Sequence, residues 1–169
     1  RLLRDDFVAA VYARSLEKTE KWKEASALRR ARIETGSRNA VFYSDEARYL
    51  ESQQDLAEAL KLLDKAEKNG VADDFSGAIK ADLLQKVGRG EEASALRRAR
   101  IEAGSRNAAF YNDEAKYLES QGDPEGALLL LEKAEKIRVT DEVTAILKER
   151  LLREVKRGRP SPLPSSPLP

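Results

Sequence analysis

The 169-residue chain contains no cysteine, no histidine and no methionine. Without cysteine it has no disulfide, no thiolate nucleophile and no cysteine-ligated metal. That absence slightly favours a reducing, cytoplasmic compartment and is compatible with the periplasm. Without histidine it lacks the side chain most used as a general base near neutrality, which is also the commonest transition-metal ligand. No metal, no cofactor and no enzymatic activity are expected. Without methionine the chain does not start at a natural initiator, so a fragment or processed product of a longer protein is expected. Aromatic residues make up only 6% of it. No apolar run approaches the roughly 18 residues that a membrane span needs, so no membrane insertion is expected. Lysine and arginine number 31 against 30 aspartate and glutamate, a net charge of +1. That balance argues against a field strong enough to bind nucleic acid or membrane.

What is present is charge of both signs and helix-forming side chains. Charged residues are 36% of the chain and the mean hydropathy is -0.61. The composition is rich in Ala, Leu, Glu, Lys and Arg, which favour helix and water. It also repeats. Aligned with Glu24 on Glu92, the segments 24–70 and 92–138 are identical at 35 of 47 positions. A fixed internal period marks stacked units that each bury an apolar face on a neighbour.

This 68-residue period divides into two 34-residue helix–turn–helix units. Helices are predicted over 6–18, 22–34, 40–52, 56–68, 74–87, 90–103, 108–121 and 124–137. Gly36 and Gly104 stand where a left-handed residue closes a helix. Asn39, Asn107, Asp73 and Asp141 stand as N-caps, and Pro124 stands in a first turn. In 56–68, Leu56, Ala59, Leu60, Leu62, Leu63 and Ala66 form one apolar stripe opposite Asp64, Lys65, Glu67 and Lys68. The period runs on: Val139, Asp141, Lys148, Leu151, Leu152 and Val155 match Val71, Asp73, Lys80, Leu83, Leu84 and Val87. A final helix over 141–157 is therefore expected to cap the last apolar face through Val143, Ile146, Leu147, Leu151 and Val155. The proline- and serine-rich 159–169 is expected to be a non-helical tail, extended where it is ordered.

A 34-residue helical unit with these residues resembles the tetratricopeptide (TPR) repeat. Tyr111, Ala115, Leu118, Gln121, Gly122, Asp123, Ala127, Leu131 and Ala134 carry the likeness in unit 108–141. Tyr43, Ala47, Leu50, Gln53, Asp55, Ala59, Leu63 and Ala66 carry it in unit 40–73. Units 6–39 and 74–107 match through Ala13, Leu16 and Ala25, and through Ala81, Leu84, Gly88 and Ala93. They depart from it at Arg29, Arg32, Arg97 and Arg100, where the family places apolar or small side chains. Those second helices are expected to rotate, or the arginines to snorkel along the core edge. The resemblance implies an all-α, right-handed solenoid over 1–158, with a concave groove that takes a peptide or partner helix.

By repeat position the resemblance assigns groove roles to Phe7, Ala10, Val11, Arg14 and Glu17, to Val41, Ser44, Asp45, Arg48 and Glu51, to Phe75, Ala78, Ile79, Asp82 and Gln85, and to Ala109, Asn112, Asp113, Lys116 and Glu119. The Lys/Asn clamp of the chaperone-binding subfamily is absent, since Ala10, Arg14, Ser44 and Arg48 stand at those places. Arg29, Arg30 and Arg32, duplicated as Arg97, Arg98 and Arg100, form a candidate anion patch for phosphates or an acidic partner. The competing reading is a helix surface of exposed ion pairs. The carboxylate pairs Asp5/Asp6 and Asp73/Asp74 read as helix-start acids rather than catalytic pairs. Trp22 reads as a packing residue at a helix–helix turn. The expected function is non-catalytic protein–protein interaction as a scaffold or adaptor. The alternatives are a segment of a bacterial exopolysaccharide-export protein, or anionic-polymer binding through the arginines.

Overall fold

The computed structural model describes the backbone of residues 2–158 and the side chains of residues 5–157. The expectations for residues 159–169 lie outside these. Among the described residues the chain forms nine α-helices and no strand: α1 (Leu2–Lys18), α2 (Trp22–Glu34), α3 (Ala40–Ser52), α4 (Leu56–Lys68), α5 (Asp74–Lys86), α6 (Gly90–Glu102), α7 (Ala108–Ser120), α8 (Pro124–Lys136) and α9 (Glu142–Gly158). The predicted bounds hold to within a residue or two from α2 to α9. Only α1 departs, starting before residue 6.

The turns explain this regularity. Residues with positive φ recur in two series, Glu20, Gln54, Gly88 and Gly122, and Gly36, Gly70, Gly104 and Arg138, both at the spacing of the helical unit. Each sits just past a helix end, where a left-handed residue lets the turn close onto the last free carbonyls. The starts are equally local. Asn39, Asn107, Asp55 and Asp123 accept backbone N–H bonds from their own first turns. Asp73 and Ser76 bond each other's backbone N–H in a capping box, and Asp141 and Thr144 repeat that arrangement.

The helices divide into two compact units, 1–105 and 106–169. In the first, each helix packs on its sequence neighbours, and α3 also reaches α5. One apolar cluster joins Ala9, Ile33, Phe42, Tyr43, Ala66 and Val71. A second joins Leu50, Leu60 and Leu63 to Ile79, Leu83, Leu84 and Ala93. In the second unit α8 packs on both α7 and α9, and α7 also meets α9. Its core is Ala115, Ala127, Leu131, Leu147 and Leu151. Small residues at the contacts let helix axes approach closely.

The arginines at 29 and 97 do not snorkel. Arg29 is fully buried and Arg97 is 2% exposed. Arg29 is tolerated inside because carboxylates accompany it: its Nε donates to Glu46 Oε2 at 3.0 Å, and its Nη1 donates to Glu17. Glu46 is itself buried and also accepts from Ser26 Oγ at 2.6 Å and Arg30 Nε at 2.7 Å. A buried charge survives only when paired in this way.

Candidate functional site

Two surfaces of the first unit carry the sequence-derived candidates. The first is the exposed face of the odd-numbered helices α1, α3 and α5. Arg14 of α1 pairs with Asp45 of α3 at 3.5 Å. Arg48 of α3 lies over the ring of Phe75 on α5, 4.6 Å from its centroid, a cation–π contact. Asp82 accepts from Lys86 at 2.6 Å, and Lys86 also reaches back to Glu51 of α3. The hydrogen bonds to Asp82 and Glu51 raise the Lys86 ammonium above its ordinary value, so it stays charged. The face is a band of alternating charge with exposed apolar points: Phe7 is 68% and Phe75 45% exposed.

In the second unit the candidates separate. Asp113 and Lys116 pair at 2.9 Å on the exposed side of α7. Asn112 is buried instead, as are Ser44 and Ile79 of the first unit, which face the packed helices rather than a groove. Asn112 Nδ2 donates to Asp141 Oδ1 and its Oδ1 accepts from Thr144, both at 2.9 Å, so it joins α7 to the start of α9. Burial disfavours the Asp141 carboxylate, but the Thr144 and Asn112 bonds outweigh it and hold the group below its ordinary range.

The arginine patch is largely engaged within the protein. Arg29 and Arg30 serve Glu46, Arg32 lies 3.7 Å from Asp6, and Arg100 lies 3.6 Å from Asp74. Asp6 and Asp74 also accept from Ser37 and Ser105, so the motif recurs at the 68-residue spacing. Burial puts Arg29 and Arg97 beyond the reach of a polyanion, while Arg98 is exposed.

A cleft of about 910 Å³ opens between the α1–α2 turn and α3, lined by Trp22, Tyr49, Asp45, Arg48, Glu17 and Glu24, among others. Trp22 is 48% exposed there rather than packed, and its counterpart in the second copy is Gly90. A lone tryptophan in a repeat offers no periodic signal, so only the folded geometry reveals its exposure.

The sequence reading passed over Glu46 and took Lys80 only as a repeat match of Lys148. Their signal is the 34-residue spacing with opposite charge. Lys80 of α5 binds Asp64 at 2.8 Å and Glu67 at 2.6 Å on α4. Burial opposes its charge, yet those two hydrogen bonds leave its affinity for the proton above the ordinary value.

Among the described residues no group of three or more carboxylates is placed to hold a metal ion, and no helix is long and apolar enough to cross a membrane. No known protein family matches the chain, and no characterised protein is significantly similar to it.

Proposed function

We propose that the chain is a TPR-like, right-handed helical solenoid, closed at its C-terminal end by α9, that binds an extended peptide or partner helix non-catalytically. The observation that supports it best is the band on α1, α3 and α5. Phe7, Val41 and Phe75 recur there at 34-residue spacing as exposed or half-exposed apolar points. Arg14, Asp45, Arg48 and Asp82 surround them with both signs of charge. Such a surface offers anchors for apolar side chains and polar groups that fix register. The engagement of the arginines by Glu46, Asp6 and Asp74 favours this reading over binding of an anionic polymer.

The test is selection of binding peptides from a display library against the whole chain, followed by calorimetric titration of Arg48→Ala and Phe75→Ala. Both side chains are exposed, so both variants should melt like the parent. Each should weaken binding by about tenfold, as expected for an anchor contact. Selected peptides that bind both variants as tightly as the parent would sink this placement of the groove.

A further inference from the structure

Each odd-numbered helix from α3 onward carries one recurrent charged position. That position is Glu46 in α3, Lys80 in α5, Glu114 in α7 and Lys148 in α9, one helical unit apart each time. Its sign alternates. The even-numbered helices alternate in the opposite sense: Arg30 of α2 stands where α4 has Asp64, α6 has Arg98 and α8 has Glu132.

The contacts follow the signs. Within the first unit Glu46 takes Ser26, Arg29 and Arg30 of α2, while Lys80 takes Asp64 and Glu67 of α4. Within the second unit Lys148 takes Glu135 of α8. Glu114 is as buried as Glu46.

Burying Glu46 and Arg29 is not the cheapest way to join two helices. Desolvating an ion costs several kcal/mol, and apolar residues of similar size often do as well. The chain itself uses the apolar solution one junction later, with Leu60 and Leu63 at the places of Ser26 and Arg29. What the charged junction adds is discrimination. Wrong pairing is a competitor here, because the helix pair recurs every 34 residues and, two pairs apart, residues 24–34 and 92–102 are identical. Displaced by one helix pair, Lys80 would meet Arg29 and Arg30, and Glu46 would meet Asp64 and Glu67. Displaced by two pairs, every sign would still match.

We propose that Glu46 and Lys80 in the first unit, and Lys148 in the second, are charge keys that register odd helices on the even ones they pack against. These keys reject a slip of one helix pair and are blind to a slip of two. The first helix carries no such key. Tyr12 holds the position, uncharged and 58% exposed.

The test copies the second junction into the first. In S26L/R29L/R30D/E46K, α2 and α3 carry the residues of α4 and α5 at these four positions, so a lysine faces an aspartate at both junctions, while Ile33 stays where α4 has Glu67. Parent and variant are unfolded in guanidinium and refolded at low and high protein concentration. Species are then counted by size exclusion with light scattering, and packing is read by amide hydrogen exchange. The variant should melt within about 5 °C of the parent, yet refold to species or exchange patterns that the parent does not give. Glu46→Lys alone, which sets a lysine against Arg29 and Arg30, should lower the melting temperature by about 10 °C. The proposal is overturned if the four-residue variant refolds to one species with the parent's size and exchange pattern. It is overturned equally if that variant melts as low as Glu46→Lys, or if the parent refolds to the same mixture as the variant.

Discussion

Among the described residues, three occupy left-handed backbone without being glycine: Glu20, Gln54 and Arg138, at φ of 60, 63 and 57°. Their repeat counterparts include Gly122 for Gln54 and Gly70 for Arg138. A Cβ in this region costs about 1–2 kcal/mol, partly offset by the entropy glycine loses on folding. Gln54→Gly and Arg138→Gly should therefore each stabilise by about 0.5–1 kcal/mol in denaturant titrations. The reverse change, Gly104→Ala, should cost about 1 kcal/mol. Nothing lies within 4 Å of the added carbon there, so that loss would report backbone strain alone. Lys21 is a second local weakness. It holds the N-cap of α2 with no side-chain cap, whereas Asp55 and Asp123 cap the matching helices. Lys21→Asp should stabilise by about 1 kcal/mol. One acid-side response belongs to Asp141. Its folded-state value lies below the ordinary 3.8, so its contribution is present above that value and lost as pH falls through the lower one. Acid melting of the parent should lose stability in that window, and Asp141→Asn should flatten the loss.

At the scale of elements, helix bounds were readable because caps and left-handed closures are local chemistry. The docking of α9 was readable for a related reason. Its apolar side chains recur at helical spacing, and Leu147, Leu151 and Val155 are buried, whereas Val143 and Ile146, expected on the same face, are 45% and 62% exposed because the covering stripe is narrower. Leu151→Asp should destabilise by roughly 2–4 kcal/mol, read by thermal melting, because it leaves an unpaired charge in the cluster with Leu131 and Leu147. A shift of under about 1 kcal/mol would contradict the packing assigned to α9. Helices α2 and α6 were harder. Their stripe runs through Ser26 and Arg29 or Ser94 and Arg97, all buried. Hydrophobic pattern cannot announce a buried arginine, because the residue that makes it tolerable, Glu46, lies on another helix.

For the whole molecule, balanced charge and engaged arginines bear on what the surface will hold. Heparin should retain the chain only weakly, releasing it well below the salt needed for proteins that make six or more phosphate contacts. Tight retention that is lost on Arg98→Ala would restore the arginine patch as a binding surface. Peptide binding to the α1, α3 and α5 face should be less sensitive to salt than such retention, since Phe7 and Phe75 contribute without charge.

The sequence by itself determined the helical class, the 34- and 68-residue periods, the caps and most of each apolar face. All of these depend on residues within a turn or two of one another, or on spacing along one helix. Tertiary structure decided which charged residues are interior. It took Arg29 and Glu46 out of the surface, moved Asn112 into the joint with Asp141 and Thr144, and left Trp22 exposed in a cleft. The reason is that the free energy of a charge depends on partners brought from distant positions, and only packing brings them.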